Sequence, residues 1–221
     1  MSVTHVEKRA TRQRGARLAR GERMNGILDA AQAVFCEKGF DATAVSAIAV
    51  GLGVAEGTVF KYFPTKRALL LKVLERWYLR MATDYARDLA GIKGASARLR
   101  LLTWRHLRSL HDNPQLCRLM FREVRSGADY RGSRLHELNR DYAGLLLAVV
   151  EDGVTSGEFA AGVPAELLRD LVFGGIEHHC WNFLEGRGRL DVDEVTEGIM
   201  KVLLHGISNS SSPRRKPGSR S

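Results

Sequence analysis

The chain has 221 residues, 44% of them hydrophobic, and carries 34 Lys plus Arg against 25 Asp plus Glu, a formal charge of +9. That length buries a sizeable core in one domain or two, and the basic excess suits a polyanionic partner. The charged N-terminus is no signal peptide, no run of about 18 apolar residues exists to span a membrane, and Cys36, Cys117 and Cys180 are too far apart for a metal set or a disulfide framework, so a cytoplasmic protein without metal or cofactor is expected.

The charge is concentrated at the ends. Between Met1 and Arg23 stand Lys8, Arg9, Arg12, Arg14, Arg17, Arg20 and Arg23, offset only by Glu7 and Glu22. Residues 1–20 are expected to form a flexible basic arm, either a solubilising tail or a strap for a DNA minor groove. Residues 208–221, with the run NSSSPRRKPGSRS, are expected to be a disordered basic tail.

Strand alternation is nearly absent, whereas apolar spacings of three and four recur. Ile27, Ala30, Ala31, Val34 and Phe35 stripe a first helix that Gly39 ends. A short helix over 45–50 follows, with Thr43 as its cap, and then a third short helix that stops near Pro64. Thr65 caps a long fourth helix through Leu69, Leu70, Val73, Leu74 and Trp77 to about Leu89, broken by Gly91 and Gly94. Further helices are expected over 95–111, 115–126, 133–156, 165–185 and 192–207. Asn113-Pro114, Gly162-Val-Pro164 and Gly186-Arg-Gly188 punctuate them, and Asp191 with Glu194 marks a capping box. The expected fold is all-α with about nine helices: a head over 21–68 and a larger domain over 69–207.

Within VSAIAVGLGVAEGTVFKY, residues 45–62, Ile48 and Leu52 lie four apart and Ala49 is small where two steeply crossed helices come closest. Gly53 occupies the turn, and Val54 and Val59 return towards Ile48. Small residue, turn glycine and apolar partners at these offsets make a helix-turn-helix.

The set Gly39-Phe40, Thr43, Val45, Ile48-Ala49, Leu52-Gly53-Val54, Gly57-Thr58-Val59-Phe60, Tyr62-Phe63, Lys66 and Leu69-Leu70 resembles the N-terminal domain of TetR-family transcriptional repressors, closely over about residues 23–73. The resemblance implies DNA contacts that the side chains support. Thr43 and Ser46 are suited to a phosphate, and Gly57 to close approach of the recognition helix to the major groove. Thr58 suits a base edge or a thymine methyl, Lys61 a phosphate or a guanine, and Tyr62 the backbone. Lys66 at the start of the fourth helix favours an anion. Many relatives have tyrosine where this chain has Phe60, which stands either in the core or at the DNA; Ala55 replaces a usual hydroxyl before the recognition helix. Glu56 is left as a partial cap or an acceptor from a cytosine amino group.

A DNA reader of this size works as a two-fold pair. Leu168, Leu171, Val172 and Gly175 of the penultimate helix and Ile199, Val202 and Leu203 of the last are the candidate dimer surface, as resemblance to the family also implies, with some of them shared with their own core. Trp77, Trp104, Phe121, Tyr142, Phe173, Glu177 and Trp181 are candidates to line an effector pocket, or else ordinary core. Glu177-His-His-Cys-Trp181 points in too many directions around a helix to bind metal. Segments 151–159 and 173–178 faintly resemble acyl-CoA-responsive members, and no ligand follows from that alone. His106 and His111 are expected on an exposed helix beside Arg105 and Arg108, with no acidic partner at ligand spacing.

The expected function is a ligand-responsive regulator, most simply a repressor, that binds a palindromic operator as a homodimer and is released by a small hydrophobic effector. No nucleophile elbow, phosphate loop or HExxH pair indicates an enzyme. A helical small-molecule carrier would share the pocket, and a nonspecific DNA-binding protein the charge. Neither needs the turn glycine, Gly57 and Lys66 together.

Overall fold

The spacings of three and four become ten α-helices, with no strand among the described residues: α1 (Val3–Lys38), α2 (Val45–Gly51), α3 (Glu56–Phe60), α4 (Lys66–Leu89), α5 (Ala95–Asp112), α6 (Pro114–Leu119), α7 (Arg134–Thr155), α8 (Ala165–His179), α9 (Trp181–Leu184) and α10 (Val192–Ile207). This computed structural model describes the backbone of residues 3–162 and 164–207 and the side chains of 20–162 and 164–206. The expected tail over 208–221 lies outside the described residues. The chain divides into two units, residues 1–80 with 115–138 and residues 81–114 with 139–221.

In the first unit, α1 and α3 both pack on α2. Ile27, Leu28, Ala31 and Phe35 of α1, Val45, Ile48 and Ala49 of α2, Val59 of α3 and Leu69, Leu70 and Val73 of α4 are all buried. Each large aliphatic or aromatic side chain so buried contributes about 1.5–3 kcal/mol, which is what holds helices as short as α2 and α3 in place. Gly39 closes α1 in a left-handed conformation (φ 77°), its N–H donating to the Phe35 carbonyl at 2.9 Å, and Gly53 makes the turn between α2 and α3 at φ 63°. Thr65 caps α4 as expected, its Oγ1 accepting from the Ala68 N–H at 3.0 Å.

Three local expectations are corrected here. The cap residue of α2 is Ala44, with no side-chain cap bond; Thr43 is buried and its hydroxyl donates to the Gly39 carbonyl at 2.6 Å. α1 starts at Val3, so the segment expected as a flexible arm continues the helix; Glu, Lys, Arg, Gln and Ala are good helix formers. The helix expected over 115–126 is α6 followed by a π-helical turn over Met120–Val124, in which the Arg125 N–H reaches back five residues to the Met120 carbonyl at 2.9 Å. Met120 and Val124 of this turn are buried, as are Leu116, Cys117 and Leu119 of α6.

The loop after that turn is tied to the start of α4. The Arg67 guanidinium forks onto the Asp129 carboxylate, Nε to Oδ2 at 2.6 Å with Nη2 on Oδ1, while Nη1 donates to the Glu123 carbonyl at 3.1 Å. A Cβ on Gly127 would fall 2.6 Å from the Arg67 guanidinium and 2.7 Å from the Asp129 carboxylate, so a side chain there would push the ends of this pair aside.

In the second unit, α5 packs along α10. Trp104 Nε1 donates to Asp193 Oδ1 at 2.7 Å, and Arg100 pairs with Glu197. The N-terminus of α5 is capped from far along the chain: the Glu158 carboxylate accepts from the Ala95 N–H at 2.7 Å and the Ser96 N–H at 2.8 Å. Gly153 lies beside this joint, where a Cβ would enter the Phe159 ring and stand 2.8 Å from the Ala95 Cβ. At α10, Asp191 Oδ1 accepts from the N–H groups of Asp193 and Glu194 at 3.1 and 3.0 Å, the Asp half of the expected capping box. The single helix expected over 165–185 is α8 and α9 with Cys180 between them at φ −80° and ψ −3°, its N–H still donating to the Ile176 carbonyl at 2.9 Å.

Candidate functional site

The recognition segment is built on the buried seam of α2 and α3. Val59 faces inward, and the Val54 N–H donates to the Ala49 carbonyl at 3.1 Å, fixing the turn. With the inner face so committed, Gly57, Phe60 and Lys61 are left exposed and Thr58 half-exposed along the other side of α3, and Ser46 is exposed on α2. Phe60 keeps 42% of its surface, which removes it from the core, whereas Phe63 is buried. The N-cap residue of α3 is Ala55, which offers no side-chain cap, the consequence of the missing hydroxyl there. Tyr62 is half-exposed, and the Arg20 guanidinium of α1 stands over its ring, 5.9 Å from the centroid.

Two residues expected at a phosphate are used inside the head instead. Thr43 is buried, its hydroxyl spent on Gly39. Lys66 turns its ammonium inward: Nζ donates to the carbonyls of Phe40 at 2.8 Å, Thr43 at 3.0 Å and Asp41 at 3.2 Å, and sits 4.5 Å from the centre of the Phe40 ring. An ammonium has three protons, and three carbonyls take them. Lys66 therefore pins the α1–α2 loop to α4 and positions the reading head. Its sequence context, at a helix start among basic and hydroxyl residues, is that of an anion site, and only the path of the loop distinguishes the two uses.

The candidate effector residues separate into several settings. Tyr142 is buried, 5.4 Å ring to ring from Phe173 and 5.5 Å from Tyr85, and its hydroxyl is 2.6 Å from His106 Nδ1. His106, expected to be exposed, is instead the polar member of this aromatic group; its ring is 4.8 Å from Phe173. The Tyr85 hydroxyl donates to the Arg105 carbonyl at 2.5 Å. Trp104 is directed to Asp193, Trp181 is 38% exposed and Glu177 is half-buried. Trp77, edge-on to Tyr78, and Phe121, beneath the Arg125 guanidinium, belong to the first unit. His111 Nδ1 is 2.9 Å from the carboxylate of its chain neighbour Asp112, and its ring stacks on Phe183. Burial pushes the Cys180 thiol up to about 11, and no group of three metal-ligating side chains occurs among the described residues.

The outer sides of α8 and α10 form a groove of about 840 Å³ lined by Leu171, Val172, Gly175, Ile199, Val202 and Leu203 among others. Leu171 is 59% and Val202 74% exposed, and Gly175 and Gly198 offer no Cβ to hold another helix away. Leu168, also expected on this surface, does not line the groove and is buried in its own unit, while Val172 is buried and still borders the groove together with Ile176. His179, Arg189, Asp191 and Glu194 add ionisable groups to the lining.

The family profile described as "Bacterial regulatory proteins, tetR family" matches residues 27–73, and that described as "Tetracyclin repressor-like, C-terminal domain" matches residues 93–207. The fatty acid metabolism regulator protein of Bacillus subtilis is 26% identical over 183 residues, covering 83% of this chain and 94% of the relative. The HTH-type transcriptional repressor KstR2 of Rhodococcus jostii is 25% identical over 192 residues, covering 85% and 92%. Among solved structures, the transcriptional regulator FadR from Bacillus subtilis in complex with stearoyl-CoA superposes with a TM-score of 0.73 at 26% identity, over 82% of this chain and 98% of that one. No helix among the described residues is long and apolar enough to cross a membrane.

Proposed function

The chain belongs to the TetR family of bacterial regulatory proteins, and from that membership we propose that it is a repressor which binds a palindromic operator as a homodimer and lets go when a small hydrophobic effector binds. The single observation that carries the DNA half is the outward side of α3: Gly57, Thr58, Phe60 and Lys61 have no role in the core, while everything behind them is buried or pinned. A helix backed in this way enters a major groove with little ordering cost. The apolar groove on α8 and α10 is the seat of the second copy, which sets two recognition helices roughly 34–36 Å apart or a multiple of that.

The aromatic group around Tyr142, with His106 as its one ring donor or acceptor, supports an effector with an apolar body and few polar atoms. The relative solved with stearoyl-CoA makes a long-chain acyl-CoA the first compound to try. Such an effector acts only by binding the DNA-incompetent arrangement better than the competent one.

Selection of bound sequences from random duplexes tests the reading. An enriched palindrome is the expected result, and uniform binding across sequences sinks it. Acyl-CoA thioesters of graded length, added to the complex, are expected to release the selected duplex at a length-dependent concentration.

A further inference from the structure

We propose that the N-terminal part of α1 is a second DNA-binding element, a basic helix that runs outward from each recognition head and lies against the phosphates flanking the half-site. This rests on the operator-binding reading above and adds to it a contact surface outside the helix-turn-helix.

Three observations meet here. First, α1 is one helix from Val3 to Lys38, yet the first buried side chain described along it is Ile27; from Arg20 to Gly26 every residue is exposed or half-exposed. The described side chains before Ile27, those of residues 20–26, bury nothing, and the helical backbone continues for roughly 25 Å beyond Arg20 at about 1.5 Å per residue. Second, its start adjoins the reading surface, because Arg20 stands over the ring of Tyr62, directly after α3 and its cap. Third, its charge is organised. At about 100° per residue, Lys8, Arg9, Arg12, Arg17, Arg20 and Arg23 have Cα atoms within one half of the helix circumference, and Glu7 and Glu22 have theirs in the other half with Arg14. A helix that is merely solvated disperses its charges. One side this basic, beginning beside a DNA reader, fits a phosphate row, which presents a charge about every 3.4 Å along each strand.

The interaction is electrostatic and reads no bases, so it adds affinity and length of footprint and leaves sequence preference unchanged. A reach of roughly 25 Å corresponds to about seven base pairs beyond each half-site.

The test compares the full chain with its K8Q/R9Q/R12Q/R17Q variant, glutamine keeping helix propensity, on one selected duplex with long flanks. Binding is measured from about 50 to 300 mM salt with hydroxyl-radical footprints. The expected result is a slope of log affinity against log salt that is shallower by about 0.9 for each phosphate the variant no longer neutralises, up to about 3.6 per protomer, with protection withdrawn from both outer flanks and the same preferred sequence. In the opposite sense, E7Q/E22Q is expected to bind several-fold tighter at low salt. If the unaltered chain binds its duplex selectively and the glutamine variant, folded by circular dichroism, gives the same slope and footprint, the inference is overturned and the operator reading stands. If the unaltered chain shows no preference for any duplex, both are overturned.

Discussion

Lys66 Nζ donates to the main-chain carbonyl of Phe40 at 2.8 Å, across 26 residues of sequence, and completes its three bonds on Asp41 and Thr43. A cation at the start of α4, with the outward appearance of a phosphate anchor, is thereby a structural clamp. Removing it leaves three carbonyls without their donor, a cost of about 1–3 kcal/mol for what becomes unsatisfied. Lys66→Met is therefore expected to lower the denaturation midpoint of the protein, with operator affinity falling only as far as the folded fraction falls. Lys61→Ala is expected to do the reverse: unchanged stability, weaker binding and a salt slope shallower by about 1. Equal melting temperatures for the Lys66→Met and native chains would refute the clamp.

Phe60 is 42% exposed, so a hydroxyl on its ring reaches solvent or DNA at no cost to the core. Phe60→Tyr is expected to add one hydrogen bond to the operator backbone. At about 0.5–1.5 kcal/mol this tightens binding roughly 2- to 13-fold, read by fluorescence anisotropy on the selected duplex.

The groove proposed to seat a second copy is open to a charge test. Val202 is 74% exposed in the α8–α10 groove, and a second copy seated there would bury it. Val202→Glu is expected to leave the fold intact and shift sedimentation equilibrium to the monomer, with loss of palindrome binding. A dimer of undiminished affinity would move the interface elsewhere.

Glu158 gives the protein a specific acid sensitivity. Hydrogen bonds from Ser96, first its side chain and then its N–H, together with the Ala95 N–H, hold the carboxyl below its ordinary value. A depressed folded value contributes stability above the unfolded value of about 4.3 and loses it as pH falls through the folded one. Glu158→Gln is expected to cost about 1 kcal/mol at neutral pH, as for other cap losses, and progressively less as acid protonates the native carboxylate. Denaturant unfolding at pH 7 and pH 3 measures the difference.

Beside that cap, Gly153 has no room for a side chain: Phe159 and Ala95 occupy the place of its Cβ. Gly153→Ala is expected to destabilise the second unit by about 1–3 kcal/mol despite the better helix propensity of alanine. A rise in melting temperature would contradict the packing described.

The division between chain and fold runs along the range of the interactions. Helix existence, the turn glycine at Gly53, the stop at Gly39, the caps of Thr65 and Asp191 and the inward Ile48, Ala49 and Val59 all depend on neighbours within about four residues, and periodicity alone displayed them. So did the resemblance over residues 23–73. What periodicity could not display depended on partners tens of residues away. Lys66 and Thr43 carry the right chemistry for phosphate, and the carbonyls of a loop claimed one and Gly39 the other. Phe60 was left between core and surface until packing put it outside. Leu168 is buried one turn before the exposed Leu171, and His106 on α5 meets the Tyr142 hydroxyl where the sequence suggested a solvated face.

Local backbone preference and apolar spacing are properties of a short window, so the sequence by itself determined an all-helical chain with a DNA-reading head. Which hydrogen-bonding group meets which depends on where distant segments come to rest. Only the tertiary structure decided which basic and hydroxyl side chains hold the head together and which are left free to meet a ligand.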